Sequence, residues 1–189
     1  TGSIAYLADG ENGLQIIDVG SPTTPKLIRN YNTAGSAWNV YVKDNIAYIA
    51  SGAGGLQMLN VRNPAQPKPL GNFAAASETV GVCIVNNIAC IIDHEEGLQI
   101  VDISNPKEPV LLGAYKTVGS PRNICVTGNI ALIAEHSNGM EIIDISDPAN
   151  PKMLGNYDTP GETQQICVVG ARAYLADRSG GLQIIDIKN

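Results

Sequence analysis

The sequence predicts an all-β fold assembled from one small unit repeated along the chain, and three observations carry that prediction. The first is a strict internal period: Gly13-Leu14-Gln15 returns at Gly55, Gly97 and Gly181, with Gly139-Met140-Glu141 as a variant, in register at 42 residues. The second is the texture of each unit, made of short runs rich in β-branched and aromatic residues, with no helical period over ten or more residues. The third is punctuation. The 189 residues include 20 Gly and 11 Pro, enough turn-formers to separate many short elements.

The second repeat shows the unit most clearly. Strand-like runs cover 38–43, 46–50, 56–61 and about 70–74, separated by Lys43-Asp44-Asn45, by Ser51 to Gly55, and by Asn63-Pro64 through Pro67. Four strands in roughly 40–45 residues is the size of a β-propeller blade. Across the chain, inner strands fall near 38–43, 80–85, 122–127 and 164–169, and second strands near 4–8, 46–50, 88–92, 130–134 and 172–176. Third strands fall near 14–19, 56–61, 98–103, 140–145 and 182–187, and outer strands near 27–32, 69–74, 111–116 and 153–158. That makes 4 + 5 + 5 + 4 = 18 strands, about four and a half repeats in a single domain over 1–189. The first of the five blade units lacks its inner strand and the last its outer one, so a longer propeller, an irregular five-bladed ring and a ring shared by two copies all fit.

The turn chemistry is consistent with this layout. Asp18, Asn60, Asp102, Asp144 and Asp186 hold one position at the end of the third strand, where a side-chain oxygen accepts from turn amides. The stretches 102–109 and 144–151 then place Ser and Asx before Pro, favouring a tight bend.

These residues resemble a known family. Leu14-Gln-Ile-Ile-Asp18, Leu98-Gln-Ile-Val-Asp102 and Leu182-Gln-Ile-Ile-Asp186, with Ser-x-Pro-x-x-Pro-like stretches from Ser104 and Ser146 and a preceding Ala-Tyr-Leu-Ala-Asp, are similar to the LVIVD repeat. The resemblance covers essentially the whole chain. It implies a β-propeller and a place at the surface or outside of bacterial or archaeal cells. It supplies no catalytic residues, and many relatives carry more repeats.

Composition narrows the function. A net charge of −6 disfavours nucleic acid, which needs clustered Lys and Arg. No apolar run approaches the roughly 18 residues of a membrane span, so membrane insertion is not expected. Thr1 opens almost directly into a strand-like run with no signal-peptide pattern, which suits a cytosolic protein, a mature secreted one or a trimmed piece alike. Cys83, Cys125 and Cys167 recur at the 42-residue period, where the earlier repeat has Tyr41; with Cys90 they read as small buried hydrophobes rather than a disulfide framework.

Strand alternation sorts the loops onto two faces. One face collects the loops entering the inner strands and those joining second to third strands, and these vary most. Variation inside a strict repeat is where binding specificity fits without breaking the core. The candidate ligand-binding residues there are Trp38, Arg122 and Gln164 at the inner-strand starts, Glu78 and Glu162 just before them, and Asp93, His94, Glu135 and His136 in the second-to-third loops. Trp, Arg and Gln suit sugar or peptide recognition by stacking and planar hydrogen bonding, while a Trp capping a blade interface is the plainer use of Trp38.

His94 and His136 sit beside Asp93 and Glu135 in equivalent loops of adjacent blades. Two imidazoles and two carboxylates suit a divalent metal, but blades diverge with radius, and no metal or other cofactor is expected. No nucleophile–base–acid set, metalloprotease motif or phosphate loop is present. The expectation is therefore a binding or scaffold propeller contacting protein or glycan, not an enzyme. The alternatives are a carboxylate- or metal-dependent hydrolase, the former using face carboxylates such as Glu78, Glu96 and Glu162, and a structural element that dimerises through its incomplete terminal blades.

Overall fold

The computed structural model describes residues 2–188. It contains five antiparallel sheets in succession. Blade 1 comprises β1 (Ile4–Ala8), β2 (Leu14–Asp18) and β3 (Lys26–Tyr31), and blade 2 comprises β4 (Asn39–Lys43), β5 (Ile46–Ala50), β6 (Leu56–Asn60) and β7 (Lys68–Phe73). Blade 3 runs β8 (Thr79–Val85), β9 (Ile88–Asp93), β10 (Gly97–Asp102) and β11 (Val110–Tyr115). Blade 4 runs β12 (Asn123–Thr127), β13 (Ile130–Ala134), β14 (Met140–Asp144) and β15 (Lys152–Tyr157). Blade 5 has β16 (Gln165–Val169), β17 (Arg172–Ala176) and β18 (Leu182–Asp186). The chain is a five-blade β-propeller with three-stranded terminal blades, matching the five blade units with incomplete ends read from the repeats. Its one helical turn among the described residues is Arg178–Gly180, and no helix is long and apolar enough to cross a membrane.

The second strands explain why the blades stack. Alternate side chains of a strand point to opposite faces, and here both faces are covered. In β5, Ala47 and Ile49 pack toward blade 1 with Leu14, Ile16, Leu59 and Val61. Tyr48 and Ala50 pack the other way, with Leu56, Met58, Ile84 and Ile91. The same exchange joins blade 3 to blade 4 through Cys90, Ile92, Ile100, Ile133 and Ile143, and blade 4 to blade 5 through Leu132, Met140, Ile166 and Leu175. A strand buried on both faces must be apolar along its length, which is why these segments read as Ile-Ala-Tyr-Ile-Ala and Ile-Ala-Cys-Ile-Ile. Each fully buried aliphatic side chain contributes roughly 1.5–3 kcal/mol.

The cysteines have a positional role at the inner strands. Cys83 accepts from the Val126 amide and Cys125 from the Val168 amide, so each sulfur ties one inner strand to the next. Asn123 Oδ1 takes the Ile166 amide at 3.3 Å in the same manner. Cys90 is fully buried at a blade seam, and burial pushes its thiol up to about 12. Cys167, whose inner strand has no following neighbour, is exposed.

The Asx turns form as the sequence predicts. Asp18, Asn60, Asp102, Asp144 and Asp186 accept from the amide two residues on, at 2.8, 3.0, 2.8, 2.8 and 2.9 Å. Those amides hold the Asp102 and Asp144 carboxyls below the usual aspartate value. The faces at the two ends of the blade series stay open. Leu182 and Ile184 are 65% and 57% exposed, whereas the equivalent Leu98 and Ile100 are fully buried.

Candidate functional site

The loops sorted to one face by strand alternation are tied together by backbone bridges. Gly10 pairs with Ala37, Gly52 with Thr79, and His136 with Thr163, each linking a second-to-third loop to the entry of the next blade. The donors and acceptors sit 2.8–3.0 Å apart. At the corresponding position before blade 4 the residue is Pro121, which has no N–H to give. The bond donated by that position is lost there, and no bridge is made. The His94 amide instead donates to the Glu78 carbonyl of its own blade at 2.8 Å. Of the five equivalent residues, Gly10, Gly52, His136 and Arg178 have φ of 54°, 56°, 47° and 39°, and His94 alone does not take a positive φ.

A pocket of about 230 Å³ lies at the starts of the inner strands. Its wall comprises Trp38, Asn39, Glu78, Val80, His94, Arg122, Gln164 and Gln165. Four successive blades each contribute the start of an inner strand. The backbone at three of those starts is already committed, because Trp38, Arg122 and Gln164 donate to Ala50, Ala134 and Ala176 at 2.9, 2.8 and 2.8 Å. Their side chains are left to face the opening. Trp38 is 56% exposed. Among the described residues, Glu78 and Arg122 have no side-chain hydrogen bond within the chain, and neither do the amides of Asn39 and Gln165. His94 Nδ1 is buried without a partner.

Of the nine residues expected on this face, Trp38, Glu78, His94, Arg122 and Gln164 share that pocket. The other four are placed elsewhere. Asp93 and Glu135 are fully buried, a correction to their reading as ligand contacts. Asp93 clamps the loop before its own blade, accepting from the Ser77 amide at 2.7 Å, from the Ser77 hydroxyl, and from the amides of Glu95 and Glu96 at 3.0 and 2.9 Å. Burial pushes its carboxyl up, but these donors outweigh burial and leave it below the ordinary value. Glu135 takes the Gly119 amide at 3.1 Å in the equivalent way. His136, held in the bridge to Thr163, faces Glu162 at 3.2 Å rather than the pocket, and Arg178 closes on the same carboxylate. The two histidines therefore occupy different surroundings despite equivalent sequence positions.

Asn39, Val80 and Gln165 are wall residues not singled out from sequence as contacts. Val80 shares the Trp38 slot in the period; Asn39 and Gln165 each follow a candidate directly, and the signal that finds them is adjacency at the strand start.

A family model for the LVIVD repeat matches residues 1–33, 34–75, 77–117, 118–159 and 160–189, one match per blade. The chain belongs to the LVIVD repeat family. The five matches break between blades, in the loops that feed the pocket, so the pocket is a product of the repeat array and not of any one LVIVD unit. No curated protein matches the sequence. Among solved structures, the chain is similar to a protein of unknown function from Desulfotomaculum acetoxidans DSM 771, at 19% identity and a TM-score of 0.73, covering 98% of this chain and 68% of that one. It is also similar to the computationally designed Ika8 protein, at 12% identity and a TM-score of 0.73, over 99% of this chain and 56% of the other. The designed Ika4 protein aligns at 12% identity and a TM-score of 0.65, over 83% of this chain and 94% of its own length. At these identities the likeness speaks for the fold alone. The LVIVD chain spans little more than half the length of Ika8.

Proposed function

We propose that this propeller is a non-catalytic binding module that holds its ligand at the mouth of the inner-strand ring. The observation that carries the reading is the convergence of an exposed Trp38 with Arg122 and Glu78, both lacking partners within the chain, in one pocket. Leaving an indole face in water and a guanidinium unpaired contributes nothing to folding, and both groups gain from a ligand that covers them. The scaffold is suited to the task. The blades are locked by seams of buried aliphatics, and of the wall residues only Val80 packs against such a seam, so the polar wall residues are replaceable without removing a core side chain.

The test is a comparison of wild type with the Trp38→Ala/Arg122→Ala double variant on mixed glycan and peptide arrays. The expected result is loss of every specific hit, with the β-type circular dichroism spectrum unchanged. Retained hits in the double variant contradict the site.

A further inference from the structure

Resting on the reading of the channel-mouth pocket as a binding site, we infer that its ligand is a neutral pyranose unit of a glycan. Three features of the wall select this class. The first is size. A volume of about 230 Å³ is below the roughly 300–1,000 Å³ of pockets for drug-sized ligands, and suits one sugar ring with its neighbours outside.

The second is the balance of chemistry. One aromatic face, Trp38, stands among polar groups that are mostly planar: the Arg122 guanidinium, the Glu78 carboxylate and the Asn39 and Gln165 amides. A pyranose has an apolar C–H face for an indole and, around its rim, hydroxyls that both donate and accept. Donors and acceptors are both present here without partners in the chain, and His94 Nδ1 adds a buried atom with none. Glu78 and Arg122 oppose each other in charge, which leaves no net sign to attract a phosphate or a strongly charged peptide.

The third feature disfavours a peptide strand. Peptides that add to a sheet use free backbone groups, and the amides of Trp38, Arg122 and Gln164 at the strand starts are already bonded to the second strands. What remains available is side-chain chemistry around a compact hole.

Pro121 supplies the second arm of the test. It lies outside the pocket wall, it lacks the bridge donor, and beside it the His94 amide bonds Glu78 instead of the bridge. Thr occupies the equivalent positions 79 and 163 and makes the bridge there. Pro121→Thr restores the donor, draws the His94 loop into the bridge and reshapes the wall, without removing any contacting side chain.

Trp38 is the only tryptophan, so its emission reports on the site directly. The experiment titrates the chain with methyl gluco-, galacto- and mannopyranosides, and in parallel with a pool of capped tetrapeptides. At least one pyranoside is expected to shift Trp38 emission saturably. Arg122→Ala and Pro121→Thr should each weaken that response tenfold or more, with the thermal midpoint of Pro121→Thr unchanged or raised. A saturable response to peptides with silence from the sugars overturns the pyranose assignment and leaves the pocket as a binding site. Silence from both overturns the pocket reading as well.

Discussion

Glu141→Gln should raise the stability of the protein at pH 8 and change it less at pH 5. In three of the other blades, the residue opening the second-to-third loop and the Gln of the Gly-Leu-Gln segment form a built pair or share its loop: Gln57 donates to Ser51 Oγ at 2.9 Å, Gln15 donates to Asp9, and Gln183 bonds the Gly180 carbonyl at 2.6 Å. Blade 4 has Glu at both positions, 135 and 141, and they are 0% and 2% exposed. Consecutive amides satisfy one oxygen of each: Val118 donates to Glu141 Oε1 and Gly119 to Glu135 Oε2, both at 3.1 Å. Glu135 Oε1 and Glu141 Oε2 remain buried without partners.

Two such carboxyls cannot both ionise cheaply. Burial first, and the Glu141 charge second, push Glu135 up to about 8 against the opposing amide of Gly119 and hydroxyl of Thr117; burial raises Glu141 too. Tyr115 faces the same pair and is raised in turn, chiefly by its own burial. The folded protein thus holds a proton that the unfolded chain releases near the ordinary glutamate value. The stabilisation from that proton is complete below about pH 4.5 and is lost as pH rises toward about 8. A glutamine at 141 supplies the missing N–H permanently. Thermal unfolding followed by circular dichroism should show a midpoint gain at pH 8 that shrinks as the pH is lowered to 5. An equal gain at both values contradicts the shared-proton account.

The glycines of the outer strands should respond unequally to the same substitution. Gly71, Gly113 and Gly155 are equivalent positions in β7, β11 and β15. A Cβ at 71 runs into the Pro106 carbonyl and the Lys107 backbone, and one at 113 into the carbonyls of Pro148 and Ala149. These are the Asn-Pro and Asp-Pro turns of the following blade, and they are backbone that cannot swing aside. A Cβ at 155 meets nothing within 4 Å. Gly71→Ala and Gly113→Ala should each cost about 3 kcal/mol through overpacking, whereas Gly155→Ala should be neutral or up to about 1 kcal/mol stabilising by restricting the unfolded chain. Urea unfolding of the three variants checks the ranking. Equal costs at all three would mean that blade-to-turn packing is not what fixes glycine there.

The parts of this molecule legible in its sequence are those where one interaction repeats. The apolar second strands, the Asx residue ending each third strand and the Gly-Leu-Gln segment (Gly-Met-Glu in blade 4) recur in all five blades, and each recurrence reinforces one structural meaning. The parts hidden from it depend on a partner in another blade. Pro121 is visible as a proline, but its effect falls on His94, 27 positions earlier (121 − 94) and one blade away, so two histidines alike in sequence end in different surroundings. Asp93 and Glu135 look like solvent-facing loop carboxylates because loops are usually polar and exposed. They are buried because each must satisfy the amides of the loop packed over it. The pocket itself was reachable in outline, since Trp38, Arg122 and Gln164 share one slot of the period. Its walls beyond that slot came from the ring of blades.

The measurement that tests the binding account most directly is an amide-resolved NMR titration of the chain with the strongest hit from the glycan and peptide arrays. Shift changes should concentrate at Trp38 and Asn39, at Glu78 to Val80, at His94, and at the starts of β12 and β16. Changes confined to the Asn-Pro turns of the opposite face, at 63–67, 105–109 and 147–151, would place the ligand on the wrong side of the propeller and contradict the account.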